Sequence, residues 1–280
     1  MDVTVLGMGN MGRAIAARLL DGGYEVAVWN RTPGKAAEVV SAGAAEAPSV
    51  AAAVHGADVV FTMLANDDAV RAVAFGELRS SIGTETVYVD CSTVSPRLIG
   101  ELAGVFSGRF LAMPVLGSPV AVRAGQAVFL AGGDSALLER VDPVLSSLST
   151  TVRRYDTAPL AGTAKLTSNL LLLSELVALA ESFAVGRSGG LSDAQLRELL
   201  RDGPMVAPGV RDRFDAVLTG SREGWWATAL GAKDAGLAVD VARAADVELP
   251  EATAVKGLYE RAAASGLERA DVAAVARLYG

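Results

Sequence analysis

The first 30 residues of the chain constrain its fold more than any other segment. A short apolar run, Val3-Thr4-Val5-Leu6, leads into a glycine loop, an alanine- and leucine-rich helix and a second strand from Tyr24 to Trp29. The loop has the pattern G-x-G-x-x-G and consists of Gly7, Met8, Gly9, Asn10, Met11 and Gly12. The order of strand, glycine loop, helix and strand turns a common glycine pattern into the signature of a dinucleotide-binding unit.

Each glycine of this loop has its own expected role. Gly7 allows the tight turn, Gly9 lets backbone amides approach a pyrophosphate, and Gly12 lets the helix pack closely on the strand. The pyrophosphate is then expected at the N-terminus of the helix, where unpaired amides and the helix dipole favour an anion.

The residues after the second strand indicate which dinucleotide is bound. An NAD site carries an Asp or Glu about 20 residues after the loop, where it holds the ribose 2′-hydroxyl. Here that place reads Asn30-Arg31-Thr32. A guanidinium beside a hydroxyl would bind a 2′-phosphate, which an acid would repel. We therefore predict NADP(H), with a solvated surface charge as the alternative for Arg31.

The first half of the chain alternates short apolar strands with helical stretches, and this alternation predicts a mostly parallel, doubly wound Rossmann-type sheet. The predicted strands are Val3–Leu6, Glu25–Trp29, Val59–Met63, Val87–Asp90, Phe110–Met113 and Ala127–Ala131. No strand is predicted from Pro159 onward. We therefore divide the chain into an NADP-binding domain, residues 1–160, and an all-helical substrate and dimerisation domain, residues 161–280.

One long apolar helix, predicted over Thr163–Arg187, opens the second domain. Since it is apolar on most sides, we expect it to be buried on most sides. A small domain can hardly surround it, so a homodimer or higher homo-oligomer is expected through this helix. A membrane span is not predicted, because Glu175 and Glu181 interrupt an apolar run shorter than about 18 residues.

Composition excludes several function classes. The chain has 280 residues and a formal net charge of −7, which disfavours a nucleic-acid partner or an anionic membrane surface. One cysteine, Cys91, allows neither an internal disulfide nor a cysteine-rich metal site. The single His55 stands in an alanine-rich helical stretch, and we predict a helix-surface residue and no metal site. The chain begins directly with a strand and no signal peptide, so we expect a cytoplasmic protein.

Four stretches together make the chain resemble the β-hydroxyacid dehydrogenase family, which contains 3-hydroxyisobutyrate dehydrogenase and is related to 6-phosphogluconate dehydrogenase. They are the glycine loop with the Asn-Arg-Thr triplet, a pair of loops after two strands, a substrate loop, and the start of the long helix. The pair of loops reads Thr62-Met63-Leu64-Ala65 and Asp90-Cys91-Ser92-Thr93. The resemblance implies that Met63, Leu64, Ala65 and Thr93 line the nicotinamide half of the cofactor.

The substrate loop departs from the pattern of the family it resembles. The family has Asp-Ala-Pro-Val-Ser-Gly-Gly, whereas this chain has Ala112-Met113-Pro114-Val115-Leu116-Gly117-Ser118. The family's serine helps to hold a substrate carboxylate, and Leu116 cannot donate a hydrogen bond. Backbone amides at Gly117 and Ser118, or the Ser118 hydroxyl, are the remaining donors. A less polar or bulkier substrate is therefore the alternative to a small hydroxyacid.

The start of the long helix carries the residues to which the resemblance gives the chemistry. Lys165 and Asn169 are one turn apart and so lie on the same helix face. The resemblance implies that Lys165 is the catalytic general acid and base and that Asn169 binds the substrate. An unperturbed lysine, with a pKa of about 10.4, is a poor base, so this role requires burial or nearby positive charge. The resemblance further places Lys233 at the cofactor and Trp226 in the substrate pocket, although Trp226 is equally interpretable as a core residue.

Three functions remain open from the sequence. The first is an NADP-dependent dehydrogenase that transfers hydride between nicotinamide and a β-hydroxyacid or semialdehyde. The second is reduction of a C=N bond, as in the related imine reductases, which generally lack the Lys-x-x-x-Asn pair. The third is an NADP-binding module without turnover, which the retained Lys165 disfavours.

Overall fold

A computed structural model describes residues 1–280 and divides into two compact units, Met1–Lys165 and Leu166–Gly280. The first unit is an α/β structure and the second is helical. The predicted fold class is confirmed, because a mostly parallel sheet is followed by helices that begin with one long helix. The division follows Lys165, whereas the sequence placed the domain boundary after residue 160.

The first unit is built on one nine-stranded sheet of order β3-β2-β1-β4-β5-β6-β8-β7, with β9 paired to β8. All pairs are parallel except β6 with β8 and β7 with β8. The strands are β1 Asp2–Leu6, β2 Glu25–Trp29, β3 Ala45–Glu46, β4 Val59–Thr62, β5 Val87–Asp90, β6 Phe110–Ala112, β7 Val115–Leu116, β8 Val128–Gly133 and β9 Thr151–Tyr155.

Both faces of this sheet are buried. On β4, Val59 and Phe61 belong to one apolar cluster, whereas Val60 between them belongs to another. Successive side chains of a strand point to opposite faces, so the two clusters are the two cores of a doubly wound sheet. The α-helices of this unit are α1 Asn10–Asp21, α2 Ala37–Ser41, α3 Val50–Val54, α4 Asp67–Val73, α5 Arg79–Ser81, α6 Pro96–Val105, α7 Pro119–Arg123 and α8 Ser135–Leu148, and all but α5 contribute buried side chains to these cores.

The second unit has one apolar core of its own, which includes Phe183, Phe214 and Tyr259. The long helix α9, Ala158–Ser188, begins in the first unit and continues into the second. The remaining helices are α10 Asp193–Leu200, α11 Pro208–Arg211, α12 Phe214–Thr219, α13 Thr228–Arg243 and α14 Pro250–Ala262, with a 3₁₀ helix over Val272–Tyr279.

Several elements differ from the sequence prediction. The sequence pattern predicts one helix over Val210–Val217, whereas the structure has two short helices here, α11 and α12. The sequence pattern also predicts a helix over Pro250–Ser265. In the structure α14 ends at Ala262 and is followed by a π-helical turn over Ala263–Leu267, in which Gly266 has φ of +81°. Glycine adopts that left-handed conformation at no steric cost, so the helix stops there. Strand β9 was not predicted, because its sequence Thr-Val-Arg-Arg-Tyr is mostly exposed at the sheet edge.

A single chain buries the long helix only in part, so its predicted burial on most sides depends on the partner subunit that the sequence also predicts. By length and composition α9 is apolar enough to cross a membrane, a property it shares with core helices, and 39% of an apolar 18-residue segment of it is buried. Its exposed residues follow one face, with Leu171 at 62% and Val185 at 73% exposure. The second unit has too few elements to cover that face. We call Thr167, Leu171, Ala178, Ser182 and Val185 the α9 stripe.

Candidate active site

The glycine loop connects β1 to α1 with the geometry that a dinucleotide requires. Gly7 has φ of +105°, and a side chain there would collide with the backbone oxygen of Met63. A Cβ on Gly12 would collide with the carbonyl oxygen of Gly7, so α1 can cross β1 closely only at a glycine. Above Gly9, in contrast, nothing lies within 4 Å of the Cβ position. The space at Gly9 is therefore open to a ligand.

The N-terminus of α1 differs from most helix starts in this unit. Five helices of this unit begin with a capping side chain that accepts a backbone N–H. These caps are Ser49 for α3, Asn66 for α4, Ser95 for α6, Ser118 for α7 and Asp134 for α8. The residue preceding α1 is Gly9, and no side chain caps this helix. First-turn amides without a capping side chain, at the positive end of the helix dipole, suit a pyrophosphate. The residues present therefore fit a dinucleotide.

Asn30 joins the glycine loop to the turn that follows β2. Its Oδ1 accepts the Met8 backbone N–H at 2.9 Å, and its Nδ2 donates to the Thr32 carbonyl at 2.9 Å. Because both polar atoms of Asn30 are used within the protein, its role is to position these two segments. Arg31 and Thr32 themselves are exposed at the surface of the turn. No carboxylate occupies residues 30–32, where an NAD site would have one.

The two loops predicted to line the nicotinamide follow neighbouring strands and are tied together by a buried polar network. Asp90 Oδ1 accepts the Thr62 hydroxyl at 2.7 Å and the Ser92 N–H at 3.2 Å. Ser92 Oγ in turn accepts the Leu64 N–H at 2.9 Å, and Tyr88 OH lies 3.0 Å from Thr62 Oγ1. The network fixes the loop that contains Met63, Leu64 and Ala65 against the loop that ends at the half-buried Thr93.

A second contact, between Ser95 and Asp67, joins the segments that follow the same two strands. Ser95, which begins α6, donates its backbone N–H to Asp67 Oδ1 at 2.9 Å and its hydroxyl to Asp67 Oδ2. Asp67 is the first residue of α4. Asp67, Tyr88 and Asp90 were not predicted as functional residues. Only Asp90 has a clear signal in the sequence, as a polar side chain at the carboxyl end of an otherwise apolar buried strand, where open α/β sheets bind ligands.

Asp90 is a buried carboxyl group at 1% exposure, and its Oδ2 has no hydrogen-bond partner. Burial raises the pKa of Asp90 from 3.8 to about 6, against the hydrogen bonds from Ser92 and Thr62 that lower it. Because the pKa is higher in the folded state, the folded protein holds the proton more tightly. The stability that Asp90 contributes is therefore complete below about pH 4 and is lost as the pH rises through the folded-state pKa.

Asp90→Asn is expected to remove this pH dependence. Between pH 4 and pH 7 the wild type should lose about 3 kcal/mol of unfolding free energy relative to the variant, since each unit of pKa shift is worth about 1.4 kcal/mol. Urea unfolding of both proteins at several pH values measures the difference between their unfolding free energies. The contributions of the other carboxyl groups are common to both proteins and cancel in this difference. A difference that stays constant from pH 4 to pH 7 would contradict the assignment.

The substrate loop places Leu116 in the short strand β7 and Gly117 immediately after it. Leu116 is half-buried and packs against the apolar cluster on one face of the sheet. Gly117 has φ of +135°, which favours glycine, and a Cβ there would lie 3.2 Å from Ala127 Cβ. Ser118 Oγ accepts the Ala121 N–H at 3.1 Å and so caps α7. As a cap it uses only its acceptor function, and its O–H proton stays available to donate. Ala112 is fully buried in β6.

Lys165 and Asn169 lie in the continuous helix α9, one turn apart, on the same face. Lys165 is half-buried and Asn169 is 5% exposed. Asn169 Nδ2 donates to Asp234 Oδ2 at 2.8 Å. The Nζ of Lys233 lies 2.9 Å from the other oxygen of Asp234. Within the second unit the structure therefore brings together Asn169 and Lys233, and the residue that links them is Asp234.

Trp226 lies in the core of the second unit at 7% exposure. Its ring stacks on Trp225 at 6.2 Å, and the Arg213 guanidinium lies 5.0 Å from the centre of the Trp225 ring. The buried Asp271 accepts the backbone N–H groups of both tryptophans at 3.2 Å and pairs with Arg213 at 2.6 Å. Trp226 is therefore fixed by a structural anchor. These contacts agree with the alternative, left open by the sequence, that Trp226 is a core residue.

Two family models match the chain. One, the NAD-binding domain of 6-phosphogluconate dehydrogenase, matches residues 2–156. The other, described as the NAD-binding domain of NADP-dependent 3-hydroxyisobutyrate dehydrogenase, matches residues 161–279. Together they cover nearly the whole chain, and the first alone covers more than half of it.

Full-length relatives agree with these models. A 3-hydroxyisobutyrate dehydrogenase and an NAD-dependent L-serine dehydrogenase, both from Pseudomonas aeruginosa, are each 30% identical over 294 aligned residues and cover 99% of this chain. The alignments span 98% and 97% of those proteins, respectively. The solved structure of Mycobacterium tuberculosis 3-hydroxyisobutyrate dehydrogenase with L-serine is 27% identical, has a TM-score of 0.87, and is matched over 99% of this chain and 98% of its own.

Proposed function

The chain belongs to the β-hydroxyacid dehydrogenase family, and on that premise we propose that it is an NADP(H)-dependent enzyme that interconverts a small β-hydroxyacid and its semialdehyde. That it is an NAD(P)-dependent oxidoreductase of this type follows from the family. The choice of NADP(H), the substrate class and the roles of individual residues are the proposal. The observation that carries it is the pairing of Lys165 with Asn169 on one face of α9, with Asn169 held by a buried carboxylate.

Lys165 is the proposed general acid and base. Oxidation of an alcohol to a carbonyl releases a hydride and a proton, and reduction requires both. The bound nicotinamide would exchange the hydride. Lys165 accepts the proton from the alcohol oxygen during oxidation and returns it to the carbonyl oxygen during reduction. Asn169, one helical turn further along, binds the same reacting group.

NADP(H) is supported by the charge at the turn after β2. Arg31 and Thr32 are both exposed and offer a guanidinium and a hydroxyl, the donors that suit a 2′-phosphate. Asn30 presents the turn rigidly, because it is bonded to both the turn and the glycine loop. Gly7, Gly9 and Gly12, with Asn10 and Met11 in the first turn of α1, hold the pyrophosphate. Met63, Leu64, Ala65 and Thr93 face the nicotinamide, and Lys233 is the cofactor ligand of the second unit.

The substrate class follows from the relatives and from the donors that this chain retains. 3-Hydroxyisobutyrate and L-serine, named for the relatives, are both carboxylates with a hydroxyl on the β-carbon. The carboxylate needs donors, and the Gly117 and Ser118 amides with the Ser118 hydroxyl supply them in place of a side chain at Leu116. The apolar side chain of Leu116, where the family has a serine, favours a β-hydroxyacid with a hydrocarbon substituent over one with a second charge.

A panel of substrates followed by NADPH absorbance tests the proposal. Oxidation of 3-hydroxyisobutyrate or a larger apolar β-hydroxyacid with NADP⁺, and reduction of the matching semialdehyde with NADPH, are expected. Glyoxylate, ketoacids and cyclic imines complete the panel. Turnover of imines alone would replace the proposal with C=N reduction, and cofactor binding without any turnover would indicate a binding module.

We further propose that the protein forms a homodimer or higher homo-oligomer in the cytoplasm, with the α9 stripe buried between copies. The stripe combines exposed apolar side chains, Leu171 and Val185, with small residues that allow close helix packing. Burying each large apolar side chain from water contributes about 1.5–3 kcal/mol. A second copy offers a matching surface by symmetry.

Leu171→Asp is expected to shift the protein to monomers, because a charge would be buried in the subunit contact. Light scattering after size-exclusion chromatography measures the mass. Leu199→Asp is the matched control, since Leu199 has the same exposed fraction, 62%, but lies on α10. A wild type that is monomeric at micromolar concentration, or two variants with equal effects, would contradict the proposal.

A further inference from the structure

Asn169 is held in one orientation by a buried carboxylate. Its Nδ2 donates to Asp234 Oδ2 at 2.8 Å, and the two residues are 5% and 3% exposed. The other carboxylate oxygen of Asp234 lies 2.9 Å from Lys233 Nζ but accepts no well-aligned hydrogen bond. Asp234 therefore depends on Asn169 for its one well-directed hydrogen bond.

A carboxylate can only accept hydrogen bonds, whereas an amide side chain has a donating and an accepting end. Turning Asn169 over would bring its Oδ1 against Asp234 Oδ2 and would leave that buried oxygen without a donor. Such a loss is costly away from water, because the oxygen cannot recover a hydrogen bond there. The nitrogen of Asn169 must therefore face Asp234, and the carbonyl oxygen must face away from it.

We infer that Asp234 is a positioning residue that fixes Asn169 so that it presents a hydrogen-bond acceptor to the reacting group of the substrate. The inference deepens the proposed function and rests on it for the identity of that group. The substrate then offers a donor at this point, and the hydroxyl of the β-hydroxyacid is such a donor. A substrate carboxylate has none, so its donors lie elsewhere in the chain.

A cycle of three variants tests the orientation. Asn169→Asp places two carboxylates side by side, and Asp234→Asn lets the amide at position 169 turn over. In the double variant Asn169→Asp/Asp234→Asn, the new amide at position 234 donates to the new carboxylate at position 169. The contact is restored with donor and acceptor exchanged between the two positions, and the outward atom at position 169 is again an acceptor. The carboxylate now at position 169 lacks the outward N–H of the wild-type amide.

Thermal and urea unfolding give the readout that does not depend on turnover. We expect the double variant to be more stable than the sum of the two single changes allows, with the folded-to-unfolded ratio raised about tenfold or more by the coupling. Additive effects would overturn the inferred orientation. Asp240→Asn is the matched control, because it removes the same charge from α13 at an exposed position.

The value of kcat/KM for hydroxyacid oxidation gives the second readout. We expect Asn169→Asp to lose activity by about 100-fold and the double variant to recover about tenfold of it, since the acceptor at position 169 is again held in place. A double variant that is stable but no more active than Asn169→Asp would mean that Asn169 serves as a donor, which overturns the inference. Should the wild type oxidise no hydroxyacid, the proposed function fails while the stability cycle still decides the orientation.

Discussion

Lys165→Met is expected to lower kcat by about 10²–10⁴-fold in both directions, because the reacting oxygen loses its proton donor and acceptor. Methionine keeps the length and apolar stem of the side chain, so the helix and its surroundings should be unaffected. The dissociation constant for NADPH, measured by fluorescence or calorimetry, should stay within about threefold of the wild-type value. Steady-state rates with the best substrate of the panel measure the loss.

Lys165→Arg separates proton transfer from charge. An arginine keeps the positive charge but does not release its proton at accessible pH. If Lys165 transfers the proton, the arginine variant should be nearly as inactive as the methionine variant. If Lys165 only attracts an anionic substrate, the arginine variant should retain most of kcat. A methionine variant with kcat within tenfold of wild type would refute the catalytic role altogether.

Arg31→Ala is expected to weaken NADPH binding about 10–100-fold and to change NADH binding by less than about twofold, since each hydrogen bond to a charged group is worth about 1.5–3 kcal/mol. The reason is that only NADPH carries the 2′-phosphate. Binding isotherms for both cofactors at constant ionic strength measure the two affinities. Salt must be held fixed because the interaction is electrostatic.

Two further variants make the Arg31 result specific. Arg31→Lys keeps the charge but loses the planar fork of donors, so NADPH affinity should fall only in part. Arg269→Ala removes an exposed arginine from the second unit, with a side chain that is 94% exposed, and should leave both affinities unchanged. Equal weakening of NADPH and NADH by Arg31→Ala would indicate that the residue supports the loop and does not select the cofactor.

The fold was predictable wherever burial and local chemistry agree. Strands β2 and β5 and helix α8 have the predicted bounds, because apolar runs and capping residues mark them in the sequence. Strand β9 was missed, because its side chains are exposed and only its hydrogen bonds to β8 make it a strand. The long helix starts at Ala158 and not at Thr163, since a proline at the second position of a helix is tolerated.

The candidate site was predictable to a different degree in each unit. Local sequence patterns predicted the glycine loop and the position of Arg31, and spacing put Lys165 and Asn169 on one helix face, whereas the resemblance to the family supplied the roles of that pair. The contacts of Asp90 and Asp234 could not be predicted from spacing. Thr62 and Asp90 are 28 residues apart, and Asn169 and Asp234 are 65 residues apart. Such contacts depend on which strands or helices become neighbours, and no local pattern encodes that.

The double hydrogen bond of Asn30 has a consequence for how cofactor preference changes within such enzymes. Asn30 anchors the pyrophosphate loop through Met8 and the neighbouring turn through Thr32, whereas the Arg31 side chain is exposed beside it. The side chain proposed to tell the two dinucleotides apart is therefore not among the groups that hold the turn and the loop together. If Arg31 selects NADPH as proposed, its replacement by an acid would change the preference without altering the hydrogen bonds that hold the loop and the turn, so the electron carrier could be exchanged in one or two mutational steps.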